Sequence, residues 1–117
     1  MNNFADTDIC AYNLTMTERD GSFEWESAKA KANWLKHRVN FREAKEAFTD
    51  PQALEVFDYL HATFEPRFSL IGVAGERLLF VVFKELSHGS VRIISAREPD
   101  QSEKEEYEKN LIANFSE

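Results

Sequence analysis

The chain has a single cysteine, Cys10, among its 117 residues, so it cannot form an internal disulfide. The spacing of its cysteine and histidines does not match paired zinc ligands, and we expect no metal or other cofactor. No apolar run approaches the roughly 20 residues that a membrane-spanning helix needs. The N-terminal residues also lack the charged and apolar regions of a secretory signal. With its lone thiol, the chain is therefore expected to be cytoplasmic.

The chain has fewer basic than acidic residues, and its formal net charge is −7. Phosphate contacts need Lys and Arg, so this total argues against a nucleic-acid ligand. The charge is unevenly distributed, however: residues 1–66 and residues 98–117 each sum to −5, whereas residues 67–97 sum to +3. A local positive surface matters more to an anionic ligand than the total does. The strand-rich middle of the chain could therefore still bind an anion.

The hydrophobic pattern predicts one α+β domain over residues 22–117, after a polar extension over residues 1–21 whose order the sequence leaves open. A short alternating segment, residues 23–25, predicts an edge strand. SAKAKANWLKHR then favours a helix by its composition. The i, i+4, i+7 spacing predicts the buried stripe of that helix, which is Ala28, Ala32 and Leu35.

A second helix is predicted after Asn40, which can cap it, with Glu43 in the position that completes a capping box. A last helix begins near Gln101, and Asp100 and Glu103 form a second capping box. Between the helices lies a predicted antiparallel meander, giving two N-terminal helices and one C-terminal helix. The strands of this meander are residues 53–57, 67–72, 78–83 and 91–97, with a loop over residues 58–66.

Several segments occur in an order that is similar to one protein family. They are FEWESAKAKANWLKHRVNF from residue 23, EAKEAFTDP from residue 43, RFSLIG from residue 67, and VRIISAR from residue 91 with a Glu and a Tyr downstream. Together they resemble the BrnT family of bacterial toxins, over residues 23–108. The resemblance implies a RelE-like ribonuclease fold, RNA cleavage that arrests translation, and neutralisation by a DNA-binding antitoxin, BrnA. Contact with DNA would then be only through the antitoxin.

Three arginines are candidates for catalysis. Metal-independent RNA cleavage needs the 2′-hydroxyl deprotonated, the charge at phosphorus stabilised and the leaving oxygen protonated. Arginine suits the second task because its planar fork binds phosphate oxygens and stays charged. Arg67, Arg92 and Arg97 occupy the arginine positions of the matching segments, although each could instead pair with an acidic side chain. Strand alternation places Arg92 and Arg97 on opposite faces unless a bulge or the strand end redirects one of them.

Lys36 and His37 are a second candidate pair. A histidine with an ordinary pKa can move protons at neutral pH, and the lysine could bind phosphate. The alternative is that both complement the C-terminal end of their helix. Tyr107 could contact the substrate by stacking on a base or by donating a proton, although a tyrosine on an apolar helix face is usually packing. Trp25 and Trp34 are expected to anchor helix to sheet.

Two departures from the family pattern leave the function open. Glu26 stands where the family has Asp, and the segment after VRIISAR, which is usually basic, is acidic here. The first interpretation is an endoribonuclease toxin. The second is a toxin-fold protein that has lost catalysis and acts as an antitoxin-binding module or co-repressor. A third, without RNA, is an interaction domain whose acidic faces bind a basic partner.

Overall fold

The computed structural model describes residues 16–58 and 66–115, and it confirms a mixed α+β fold. The strands are β1 (Thr17–Asp20), β2 (Phe23–Glu26), β3 (Leu54–Asp58), β4 (Arg67–Ala74), β5 (Arg77–Glu85) and β6 (Val91–Arg97). The helices are α1 (Ser27–His37), α2 (Phe41–Ala44) and α3 (Gln101–Phe115), and a 3₁₀ helix over Lys45–Thr49 continues α2. Most of the predicted loop between β3 and β4 lies outside the described residues. None of the helices in these ranges has the length and apolar character needed to cross a membrane.

All six strands form one sheet in the order β1-β2-β6-β5-β4-β3. The predicted antiparallel meander holds for β3 to β6, but β2 and β6 are parallel neighbours, so the sheet is mixed. The prediction of β2 as an edge strand is wrong, because β1 pairs with its outer side. Part of the predicted N-terminal extension is therefore the true edge of the sheet. The first two helices follow this β1–β2 hairpin rather than opening the fold.

The core lies on one face of the sheet, under α2 and the 3₁₀ helix. Along β5, Leu79, Val81 and Phe83 are buried, whereas the residues between them are half-buried. Aromatic rings join the layers edge to face: Trp25 meets Phe41 at 5.9 Å between ring centroids. Trp25 therefore anchors helix to sheet as expected.

The helix α1 packs differently from its predicted stripe. Ala32 is exposed and Leu35 is 62% exposed, whereas Asn33 is buried. Trp34 is 46% exposed and does not anchor the helix as expected. The reason is that α1 lies beside β6 beyond the short β2–β6 pairing, where Asn33 instead of a strand bonds the Ala96 backbone. A polar side chain satisfies such groups better than an apolar one.

The helix α3 begins as predicted. Asp100 Oδ1 accepts a hydrogen bond from the Glu103 backbone N–H at 2.8 Å, and Glu103 Oε1 accepts one from the Asp100 N–H at 2.9 Å. This is the reciprocal pair of a capping box. Asn40 also caps α2 as predicted, since its side-chain oxygen accepts the Arg42 N–H at 2.7 Å. Local sequence signals are thus confirmed at both helix starts.

Candidate active site

A β-bulge in β6 decides which face of the sheet carries its arginines. The register between β5 and β6 shifts so that Ile94 is an extra residue in β6. On either side of it, Arg97 lies opposite Phe80 and Arg92 lies opposite Lys84. Partners in an antiparallel pair share a face of the sheet. Phe80 and Lys84 are four residues apart, so their side chains also lie on one face. Arg92 and Arg97 therefore lie on the same face, because the bulge reverses the ordinary alternation.

Arg67 lies on this face as well. It is the first residue of β4, and Ser69, two positions on, lies opposite Val82 of β5. Val82 shares the face of Lys84, so the alternation of β4 carries Arg67 to the same side. The structure records no ion pair of Arg67 with the residues that it describes. We call this surface, made of Arg67, Lys84, Arg92 and Arg97, the arginine face.

Carboxylates hold Arg92 at this face. Its Nε donates to Glu24 Oε2 at 2.8 Å, and its Nη2 donates to the same oxygen. Its Nη1 lies 3.6 Å from Glu26. Glu24 is buried on β2, directly beside Arg92 in the parallel pair. The pairing with an acidic side chain that the sequence left as the alternative is therefore present for Arg92.

Arg97 is held in the same manner from α3. Both of its terminal nitrogens donate to the Glu103 carboxylate at 2.9 Å, and its guanidinium lies 4.3 Å from the centre of the Phe80 ring. The hydrogen bonds that Arg97 donates to Glu103 raise the pKa of Arg97 despite its partial burial. Arg97 therefore keeps its positive charge while its guanidinium group is paired with the Glu103 carboxylate.

Arg77 is a further paired arginine, which the sequence prediction did not single out. It donates to both oxygens of Glu43, at 2.6 and 2.7 Å, and to Glu98 at 3.0 Å. A fourth bond goes to the backbone carbonyl of Arg38 at 2.9 Å. The hydrogen bonds from Arg77 lower the pKa of Glu43 despite the effect of burial. This cluster ties α2 to the turns at the ends of α1 and β6, and its role is structural.

A basic pocket lies between α1 and β6. It is a cavity of about 200 Å³ lined by Lys29, Asn33, Lys36, His37, Ile94 and Ser95, among others. The five lining residues from α1, which include Ala32, are spaced i, i+3, i+4, i+7 and i+8, so they share one side of the helix. Within the described ranges, no carboxylate lines this cavity and none pairs with its two lysines or its histidine. The two groups predicted as a pair, Lys36 and His37, are therefore joined by Lys29.

Lys29 and Ser95 were missed by sequence reasoning. The seven-residue spacing from Lys29 to Lys36 could have indicated a shared helix side. No sequence signal could have found Ser95, because its place beside α1 depends on the bulge and on how the helix meets β6.

Asn33 fixes the position of this pocket. Its side-chain amide donates to the Ala96 carbonyl at 2.8 Å and to the Val39 carbonyl at 3.0 Å. Its side-chain oxygen accepts the Ala96 N–H at 3.0 Å. Asn33 thus binds β6 as a neighbouring strand would, and holds the lysines and the histidine of α1 over Ser95.

Tyr107 lies away from solvent on α3. Its hydroxyl donates to Asp50 Oδ2 at 2.6 Å, and the same oxygen accepts the Val73 N–H at 2.8 Å. Burial and the hydrogen bond to Asp50 raise the pKa of Tyr107 to about 12. The hydroxyl is therefore neutral at physiological pH and is already occupied.

Comparisons with known proteins agree with this architecture. Residues 25–103 match the family model described as the ribonuclease toxin BrnT of a type II toxin-antitoxin system. The fold is similar to the crystal structure of the Brucella abortus ribonuclease toxin BrnT, with 22% identity and a TM-score of 0.51 over 66% of this chain and 94% of that chain. No curated protein matches the chain. Because the family match covers more than half of its length, the chain belongs to the BrnT family of ribonuclease toxins of type II toxin-antitoxin systems.

Proposed function

We propose that this protein is a metal-independent endoribonuclease with a RelE-like fold, which arrests translation by cleaving RNA and is neutralised by a BrnA-like antitoxin. Membership of the family implies an RNA target and an antitoxin partner. The observation that carries the catalytic part is the basic pocket, where two lysines and a histidine lie together over a serine. Such a site favours an anionic ligand and provides an imidazole that can act as a general acid or base.

In this proposal the residues of the basic pocket act on one phosphate and its neighbouring ribose. His37 carries out one of the two proton transfers, from the attacking 2′-hydroxyl or to the 5′-oxygen as the P–O5′ bond breaks, and solvent water carries out the other. Lys36 and Lys29 bind the phosphate oxygens, where they offset the charge that develops as the 2′-oxygen attacks. Ser95 provides a hydroxyl that can donate to the same oxygens.

The arginine face supplies positive charge to the RNA beside this pocket. Arg92 and Arg97 stay on one side of the sheet because of the bulge, and Arg67 joins them. Their proposed role is to bind phosphates and to stabilise the charge in the transition state. Glu24 and Glu103 would hold the two guanidinium groups of β6 in place until RNA competes for them. For Tyr107, which donates its hydroxyl to Asp50, a contact with RNA would have to use the ring.

The test is bacterial growth after tightly controlled expression, followed by mapping of RNA ends. Wild type should arrest growth, whereas His37→Ala and the double variant Arg92→Ala/Arg97→Ala should not. Loss of a proton-transfer group lowers the rate by about 10²- to 10⁴-fold. His88→Ala is the matched control, because His88 is exposed in the turn before β6, and it should remain toxic. Arrest by every variant, each shown to be folded, would contradict the assigned roles.

One observation favours a second candidate, a catalytically inactive toxin-fold protein that binds the antitoxin or acts as a co-repressor. Arg92 and Arg97 each already donate two hydrogen bonds to a carboxylate, and α3 is acidic. To distinguish the two candidates, purified wild type is incubated with single-stranded RNA in the presence of a metal chelator, and cleavage of the RNA is measured. Intact RNA together with tight binding of the antitoxin would establish the second candidate.

A further inference from the structure

A second cavity lies on the opposite side of α1 from the basic pocket. It has a volume of about 260 Å³ and is bordered by β1, α1 and the start of α2. Both tryptophans of the chain, Trp25 and Trp34, line it. On α1 its residues Ser27, Lys31 and Trp34 are spaced i, i+4 and i+7, so they share one side of the helix. We call this cavity the tryptophan pocket.

The two indole rings differ in exposure. Trp25 is buried, and its indole N–H donates to Glu18 at 3.3 Å. Trp34, by contrast, keeps 46% of its surface exposed at the mouth of the cavity, with the Arg38 guanidinium 5.5 Å from its ring centre. An exposed indole that has no place in the core is a stacking surface available to a ligand.

Cations and an amide surround this stacking surface. The Arg42 guanidinium lies 5.4 Å from the centre of the Trp25 ring. Lys31 is exposed and has no ion pair within the described ranges. The side-chain oxygen of Asn40 accepts the Arg42 N–H, while no acceptor is recorded there for its amide nitrogen. Aromatic rings beside Lys and Arg are how proteins hold unpaired bases together with their phosphates, and a free amide can donate to a base edge.

We propose that the tryptophan pocket binds one unstacked base of the RNA substrate, with Trp34 as the stacking surface and Asn40 as the group that contacts the base edge. This rests on the proposed function, since the ligand is its RNA. With its side chains, a helix is about 10 Å across, so the two sides of α1 would hold different nucleotides of one strand. The pocket would thereby select the base beside the nucleotide that is cleaved.

The experiment uses the full chain and a short single-stranded RNA whose 2′-hydroxyls are methylated, so that it cannot be cleaved. Both tryptophans lie in this pocket, so quenching of tryptophan fluorescence reports occupancy there. A labelled copy of the RNA gives the dissociation constant. The variants are Trp34→Ala, Trp34→Phe as the conservative exchange, and Leu35→Ala as the matched control on the solvent side of α1.

We expect the RNA to quench the wild-type fluorescence and Trp34→Ala to bind it about 5- to 150-fold more weakly, the range for loss of one stacked base. Trp34→Phe should retain most of the affinity, and Leu35→Ala all of it. Equal binding by Trp34→Ala and Leu35→Ala, without quenching in the wild type, would overturn the base site and leave the proposed function intact. If the folded wild type binds no RNA at all, the proposed function fails and the base site with it.

Discussion

Replacing Asn33 by alanine removes three hydrogen bonds at the junction of α1 and β6. Two of them pair the backbone N–H and carbonyl of the buried residue Ala96, and the third pairs the Val39 carbonyl. Each bond contributes about 1 kcal/mol net, and an unpaired buried backbone group costs about 1–3 kcal/mol. The higher helix propensity of alanine offsets less than about 0.7 kcal/mol. We therefore expect the free energy of unfolding to fall by about 2–4 kcal/mol.

This loss is a large part of the roughly 5–15 kcal/mol that stabilises a typical domain. Urea unfolding followed by circular dichroism measures it, with an unchanged m-value showing that the surface exposed on unfolding is the same. Leu35→Ala, two residues along the same helix and exposed, should change stability by no more than about 0.5 kcal/mol. If Asn33→Ala were as stable as this control, the view that Asn33 stands in for a strand neighbour of β6 would be refuted.

Two further predictions concern α3 and β4. Tyr107 should titrate near pH 12 in the folded protein, whereas a tyrosine in an unfolded chain titrates near pH 10. The contribution of Tyr107 to stability is therefore complete below about pH 10 and is lost as the pH rises to about 12. The difference in phenolate absorbance between wild type and Tyr107→Phe measures the pKa of Tyr107. In Asp50→Asn this pKa should fall toward 10. An unchanged pKa in Asp50→Asn would rule out the carboxylate as a cause. Gly72→Ala should destabilise by about 1–3 kcal/mol, because the added Cβ would meet the backbone carbonyl oxygen of Ala47 at 2.6 Å. The control is Gly21→Ala, where backbone strain is the expected cost because the added Cβ would meet nothing within 4 Å. Comparing the thermal unfolding of the two variants therefore distinguishes the effect of the clash from that of backbone strain.

The arrangement of charges shows how an acidic chain can carry a local cluster of basic side chains. The arginines of β6 are each matched by a carboxylate, from β2 and from α3, whereas the lysines and histidine of the basic pocket have no such partner within the described ranges. Fixed ion pairs contribute little net stability at a surface but hold side chains in one geometry. The negative total charge is thus compatible with a local positive site.

The sequence by itself determined the features that depend on neighbours along the chain. The capping box of Asp100 and Glu103 and the cap at Asn40 both rest on groups within three residues of each other. The order of its motifs also identified the family, which the family match then confirmed. Such capping interactions can be predicted from the sequence because the interacting groups are close in the chain and do not depend on distant contacts.

Only the tertiary structure decided which distant groups meet. Glu24 and Arg92 are 68 positions apart, and Asn33 and Ala96 are 63 apart. Their contact depends on the parallel placement of β6 beside β2, which no local pattern encodes. The bulge at Ile94 then reversed the alternation of the strand and brought its arginines to one face. Register and bulges follow from packing of the whole sheet, and a shift of one residue exchanges its two faces.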